Sequence, residues 1–219
     1  MTTLFLTRHA LTAVTGKTLY GRTPGVPLDE RGREQAERLA DRFAGTRLSA
    51  VYSSPLDRCV QTMRPLADAA GLPVQTAEGL VEMDAGSWTG RPLAQLRRTR
   101  RWRQVQEAPS RFTFPDGEGF AEAQARAIAE VNAIVAAHPR GRIAVGSHGD
   151  IIRMLIAHLA GAHLDLFQRT MSDPASVSVV HLGDGMPRVL LVNDTGGELA
   201  RFAPPRHPPR TSGRGNLRG

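Results

Sequence analysis

Leu4-Phe5-Leu6-Thr7-Arg8-His9 is a short apolar run that ends on a guanidinium and an imidazole. Read as a strand, it delivers both basic side chains to a single strand exit. An imidazole with an ordinary pKa near neutrality is a usable nucleophile at pH 7, and a guanidinium beside it can hold phosphate oxygens while discouraging protonation of the ring. The pair therefore suits attack on an anion, and phosphoryl transfer to nitrogen is the first chemistry it suggests. An isolated Arg-His dipeptide carries little information, so the reading depends on partners delivered to the same edge by later elements.

Two further apolar runs end in a similar way. Leu48-Ser49-Ala50-Val51-Tyr52 leads into Ser53-Ser54-Pro55-Leu56-Asp57-Arg58-Cys59, where Ser54 can cap a helix, Pro55 suits its first turn and Arg58 falls within that turn. A cation beside the unpaired N–H groups of a helix start favours an anion. Arg142-Ile143-Ala144-Val145-Gly146 then delivers Ser147-His148-Gly149-Asp150 ahead of the apolar helix Ile151 to Ile156. Ligands of open α/β sheets bind outside the carboxyl ends of the strands, so Arg8, Arg58 and His148 are expected to converge around His9 as a phosphate pocket. Taken singly, Arg58 also reads as a solvated helix arginine and His148 as a hydrogen-bonded turn residue.

Working outward, a strand near 2–8 precedes a long loop and a helix from about Glu30 to Phe43 with Ala36, Leu39, Ala40 and Phe43 on one face. A strand at 48–53 and a helix opening at Pro55 and stopping near Gly71 follow, then a short strand at 73–77. A helix from about Phe120 to Ala137, a strand at 142–147 and a helix at 150–160 complete the central part. Val177 to Leu182 and Arg188 to Val192 read as closing strands around Gly183-Asp184-Gly185. The alternation predicts an α/β fold, a three-layer α/β/α sandwich with a mainly parallel central sheet, as one domain over 1–199. A chain of 219 residues with 41% hydrophobic content can bury one sizeable core.

The sequence resembles the histidine phosphatase superfamily in its phosphoglycerate-mutase-like branch. The likeness is carried by Leu6 to Thr12, Gly21 to Gly32, Ser53 to Arg58, Leu80 to Gly90 and Ser147 to Asp150, in matching order and spacing across most of 2–195. The resemblance implies that His9 becomes phosphohistidine while Arg8, Arg58 and His148 clamp the transferring group. It further implies that Glu82 is the acid/base, with Asp84 in reserve, and that Thr12, Thr15, Gly21, Arg22, Thr23 and Gly149 meet the substrate. Desolvation would raise the pKa of a carboxyl in that role, and nearby arginines would lower it. Two positions depart from the family pattern: Ala10 stands where glycine is usual and Thr15 where asparagine is usual. Neither change touches the five catalytic positions.

Rival chemistries fail on spacing. Leu11 to Thr18 ends in Gly16-Lys17-Thr18 but has leucine where a nucleotide-binding phosphate loop needs its first glycine. Arg64 follows Cys59 one residue too early for a cysteine-phosphatase loop, and Cys59 reads better as a small buried apolar residue beside the site. Val145 sits where the elbow around Ser147 would need glycine. His148 with Asp150, or His163 with Asp165, lacks the further ligands of a closed metal site, and the implied mechanism needs neither metal nor other cofactor.

The net charge of +7 raises nucleic acid as a partner until it is located along the chain. Arg201, Arg206, Arg210, Arg214 and Arg218 carry most of it in a tail, 200–219, that also holds four prolines and no acidic residue. That composition predicts disorder, and the lack of aromatics after Phe202 argues against base stacking, so no nucleic acid partner is expected. A second basic stretch runs from Arg91 to Arg103 through Arg97, Arg98, Arg100 and Arg101. With Pro92 as a first-turn residue it could form one helix of an insertion over 91–118, a lid whose arginines gather an anionic substrate; a solvated helix face is the plainer alternative. Trp88 and Trp102 could flank the substrate or pack beneath that lid, and His158 reads as a partly buried, hydrogen-bonded side chain.

One cysteine excludes an internal disulfide. The opening residues lack a secretion signal and no apolar window is long enough to cross a membrane, so the expected location is the cytoplasm with no membrane partner. The favoured function is a metal-independent phosphomonoester hydrolase acting on a small phosphorylated metabolite, as a monomer or homodimer. A phosphoglycerate mutase type of phosphoryl transfer and a low-turnover phosphate-binding or regulatory protein are the alternatives.

Overall fold

In the computed structural model, which describes residues 1–183 and 185–196, the opening run forms strand β1 (Thr2–Arg8). Its side chains alternate between two cores: Leu4 and Leu6 join one hydrophobic cluster and Phe5 another. A strand buried on both faces needs cover on both, which is the physical origin of the three layers. The chain continues through β2 (Thr18–Leu19), α1 (Glu30–Arg42), β3 (Ala50–Ser53), α2 (Asp57–Ala70), β4 (Val74–Thr76), β5 (Arg91–Pro92), α3 (Leu93–Leu96) and α4 (Arg100–Glu107). It closes with α5 (Phe120–Ala137), β6 (Arg142–Ser147), α6 (Gly149–Leu159), β7 (Val177–Leu182) and β8 (Arg188–Asp194).

The central sheet has the order β4-β3-β6-β1-β7-β8, while β2 and β5 form a separate ribbon. The strands β4, β3, β6 and β1 are parallel and β7 runs against both β1 and β8, so the sheet is mainly parallel with the closing hairpin at one edge. Leu39, Phe43, Met63 and Leu66 of the α1 and α2 layer pack on Phe5, Val51 and Ala144. On the opposite face, Ala127, Val131, Ile151 and Leu155 of the α5 and α6 layer pack with Leu4, Leu6, Ile143 and Val145. Register pairs Arg8 with Ser147 and Ser53 with Gly146, so β1, β6 and β3 end level with one another at the same sheet edge.

Several local expectations are corrected. Helix α2 begins at Asp57 behind an N-cap at Leu56, not at Pro55; it ends as expected at Gly71, whose φ of 65° is the left-handed conformation that glycine adopts without strain. The basic stretch forms two short helices instead of one. Thr99 stops the run because its hydroxyl accepts from the Trp102 N–H at 3.2 Å and starts α4. His158 is exposed, because the apolar stripe of α6 turns away from that position. The Arg-rich tail and Asp184 of the closing turn lie outside the described residues. Among the described residues no helix is long and apolar enough to cross a membrane.

The long loop after β1 is fastened to α1. Asp29 caps the helix by accepting the Gly32 N–H at 2.8 Å, and the Leu11 carbonyl accepts the Asp29 N–H at 3.1 Å. A Cβ on Gly32 would stand 2.0 Å from the Leu11 carbonyl oxygen, a backbone atom that cannot yield cheaply. Gly32→Ala is therefore expected to destabilise the fold by about 1–3 kcal/mol, the usual scale of overpacking, and to lower the urea midpoint. An unchanged midpoint would show that this loop is not seated on α1 as described.

Candidate active site

Three strand exits supply the basic groups. His9 follows β1 directly, His148 is the N-cap of α6 after β6, and Arg58 lies in the first turn of α2 after β3. His9 is 2% exposed, Arg58 1% and His148 0%, so all three are withdrawn from bulk water. The His9 and His148 rings lie 5.4 Å apart between centroids. Arg8, His9, Tyr20, Gly21, Glu82 and Gly149 border a cavity of about 700 Å³ at this sheet edge.

The tautomer of His9 follows from its partners. Its Nδ1 lies 2.7 Å from the Ala10 carbonyl oxygen, which can only accept, so Nδ1 carries the proton and Nε2 presents a lone pair. Burial, reinforced by the charges of Arg8 and Arg58, holds the ring pKa down at about 3. The imidazole is thus neutral throughout the physiological range. The hydroxyl of Tyr20 stands 3.3 Å from Nε2, and the Tyr20 ring stacks 4.7 Å from the guanidinium carbon of Arg58.

Arg58 is held by neutral acceptors: the Gly21 carbonyl at 2.7 Å, the Thr23 carbonyl at 3.5 Å and His148 Nδ1 at 3.4 Å. Its Nε, like that of Arg8, is buried without a hydrogen-bond partner. A guanidinium can only donate, so His148 Nδ1 accepts and its Nε2 gives a proton to the Ser54 hydroxyl at 2.8 Å. Ser54 is consequently a partner of His148 and does not cap α2, which corrects the expectation for that residue. Burial, with Arg58 next, holds the pKa of His148 well below its ordinary value. Cys59 packs against the same imidazole, Sγ to Nε2 3.5 Å, and burial pushes its thiol up to about 12, which fits the expected small apolar neighbour. Arg8 donates Nη1 to the Ser172 carbonyl.

Glu82 reaches this group from the loop after β4, with Oε2 3.8 Å from His148 Nδ1 and a side chain 21% exposed. Burial, and then the negative charge of Asp150, raise its pKa to about 7, against the lowering effects of the Met83 N–H and the two arginines. Its position comes from a brace that no motif advertises. Arg22 Nε and Arg126 Nη2 both donate to the Glu82 carbonyl, at 2.8 and 3.1 Å, and Glu118 joins the two arginines at 3.0 and 2.6 Å.

The structure therefore brings Arg8, His9, Arg58, Glu82 and His148 together, with Gly21 and Gly149 at the cavity wall. A Cβ on Gly149 would stand 3.2 Å from Arg8 Nε, so a side chain there would crowd the guanidinium. The other expected substrate residues are used differently. Thr12 and Thr15 hydrogen-bond to each other at 2.9 Å and close a loop turn; Arg22 braces the Glu82 backbone; Thr23 offers its carbonyl to Arg58. Asp84 accepts the Gly86 N–H at 2.9 Å and is not among the residues that border the cavity. Of the basic stretch, Arg97 alone borders the cavity, beside Leu93, Trp102, Val105 and Gln106. Trp88 is buried and stacks on Trp102 at 6.2 Å, so Trp102 has both a packing role and a cavity face. His163 caps a short turn by accepting the Asp165 N–H at 3.2 Å, and burial is outweighed at Asp165 by hydrogen bonds from Ser110, which lower its pKa.

Sequence reasoning missed Tyr20, Ser54 as a partner of His148, and the Arg126–Glu118 brace. Tyr20 alone left a trace, as a tyrosine directly before the expected Gly21.

Comparison with known proteins agrees with this fold. Phosphoserine phosphatase 1 of Hydrogenobacter thermophilus is 30% identical over 200 residues, covering 89% of this chain and 93% of that protein. The bifunctional protein Rv2228c of Mycobacterium tuberculosis is 32% identical over 202 residues, 89% of this chain, which spans only 54% of that relative. The solved structure of Bacillus stearothermophilus YhfR superposes with a TM-score of 0.83 at 28% identity, covering 89% of this chain and 98% of that one. The pattern of the histidine phosphatase superfamily (branch 1) matches residues 4–195, from within β1 to just past β8, and the chain belongs to that superfamily.

Proposed function

We propose that the protein is a phosphomonoester hydrolase that forms phosphohistidine at His9 and acts on a small phosphorylated metabolite. The observation that carries this reading is the oriented lone pair on His9 Nε2, set beside two guanidiniums with uncharged partners and opposite a carboxyl that holds its proton near neutrality. A phosphate dianion supplies the negative charge that Arg8 and Arg58 lack. It also favours protonation of His148, which then donates to a phosphoryl oxygen.

In the first step Nε2 forms a bond to phosphorus as the ester P–O bond breaks, and the proton of Glu82 passes to the departing oxygen. In the second, the Glu82 carboxylate takes a proton from water, the water oxygen attacks phosphorus and the P–N bond returns its pair to Nε2. Inorganic phosphate leaves, and Glu82 is again protonated. Neither step calls for a metal.

Beyond the reacting phosphate, Arg97 and Asp173 border the cavity, so charges of both signs face the rest of the substrate. That combination suits an amino-acid phosphate such as phosphoserine, the substrate in the name of one relative. The segment 91–118 forms the cover in this reading. Incubation with a phosphoglycerate, with free phosphate and isomer followed separately, tests hydrolase against mutase: the hydrolase reading expects phosphate in excess.

His9→Ala is expected to abolish acid-labile, alkali-stable phosphate on the protein, and a variant that still labels fully would overturn the assignment. Glu82→Gln should slow phosphoenzyme formation from an alkyl phosphate by about 10²–10⁴, with a much smaller loss for p-nitrophenyl phosphate, whose leaving group needs no proton. Equal losses for both esters would remove Glu82 from the acid role.

The pH dependence follows from the two shifted groups. Glu82 must be protonated for the first step, so the rate of phosphoenzyme formation should decline as pH rises through about 7. On the acid side His9 stays unprotonated until pH approaches about 3, so any decline above that comes from the substrate dianion, which takes up a proton at about pH 6. Stopped-flow rates that climb through neutrality would contradict this order. Among the cover arginines, Arg97→Ala should raise KM with little change in kcat, whereas Arg98→Ala and Arg100→Ala should leave KM unaltered.

A further inference from the structure

Tyr20 has no role in the mechanism above, yet its hydroxyl is the group that meets the nucleophilic atom. The bond from Nδ1 to the Ala10 carbonyl leaves Nε2 as an acceptor, so the Tyr20 O–H donates to it across 3.3 Å. A phosphorus atom poised for attack must stand about 3–3.5 Å from the same lone pair. Hydroxyl and phosphorus therefore contend for one position, and the tyrosine must release Nε2 before the P–N bond can form.

The tyrosine is also tied to the site by its ring, which lies 4.7 Å from the Arg58 guanidinium carbon. Tyr20 borders the cavity, so its ring links the cavity wall to the buried Arg58, which is 1% exposed. A small rotation that keeps the ring on Arg58 moves the hydroxyl off the line of attack. There it meets the belt of three oxygens that surrounds phosphorus in an in-line transfer. The hydroxyl proton that pointed at Nε2 then has an anionic oxygen to serve.

We propose that Tyr20 is a further catalytic residue: its hydroxyl holds the His9 lone pair in the empty site and, displaced by the substrate, donates to a non-bridging oxygen of the transferring phosphoryl group. The inference rests on the phosphohistidine reading of His9. No proton is lost from the tyrosine at any stage; its hydrogen bond changes acceptor from nitrogen to oxygen.

Tyr20→Phe keeps the ring on Arg58 and removes only the hydroxyl. Orthovanadate, which adopts the five-coordinate geometry of the transfer, is the probe. The variant should lose about 10²-fold in kcat/KM, the scale of one preorganised oxyanion donor, and should lose more affinity for vanadate than for inorganic phosphate. Unchanged or raised kcat/KM would mean that the hydroxyl only competes with substrate, and would overturn the proposal.

A second measurement needs no variant. The chain contains two tyrosines, and the hydroxyl of the other, Tyr52, is engaged by His138 at 3.0 Å. In fluorotyrosine-labelled protein, vanadate should shift one ¹⁹F resonance and leave the other in place. Two unmoved resonances at saturating vanadate would overturn the displacement. If native protein neither binds vanadate nor forms phosphohistidine, the hydrolase reading and this inference fall together. If it does both and Tyr20→Phe matches it, the inference on Tyr20 alone fails.

Discussion

A guanidinium buried among neutral acceptors is the constraint on which the site depends. Arg58 is withdrawn from water, and its hydrogen bonds go to two carbonyl oxygens and an imidazole nitrogen. Removing such a charge from water is costly unless an anion compensates it, and in the proposed function that anion is the one a substrate brings. Folding holds the cation in place through elements far apart in sequence: the loop at Gly21, the first turn of α2 and the exit of β6. Gly21 contributes through its backbone, since its φ of 46° aims the carbonyl at Arg58 and a Cβ there would stand 3.1 Å from the Met83 carbonyl.

The same arrangement drives the proton affinities of an imidazole and a carboxyl in opposite directions. Low dielectric disfavours charge on both His9 and Glu82, which lowers the first and raises the second. One site thus holds an unprotonated imidazole beside a carboxyl that titrates at about 7. Asp150 assists by adding negative charge near Glu82, and the Arg22–Glu118–Arg126 brace keeps the carboxyl in reach by gripping its backbone.

The strand exits were legible because their chemistry is local. An apolar run followed by Arg8-His9 or by Ser147-His148 states both the element and its cargo, and parallel pairing then puts the cargo at one edge. Helix α5 was legible to the residue, from Phe120 to Ala137, because its apolar spacing and the nearby Pro139 mark both its length and its end. The basic insertion was misread as one helix because a threonine cap competes with helix propensity, and composition does not say which prevails. The bonds of Arg22 were not legible because a cation is equally able to hold a phosphate or a carboxylate, and Glu118 lies 96 residues away.

What the sequence determined by itself is the α/β order, the three strand exits and the identity of the groups they carry, since these follow from periodicity and from residues adjacent in the chain. Tertiary structure alone decided which nitrogen of His9 accepts, that Tyr20 covers it, that Ser54 serves His148, and which arginines border the cavity and which brace Glu82. Those outcomes depend on distances between segments that only packing brings together, and on the loss of water that packing causes.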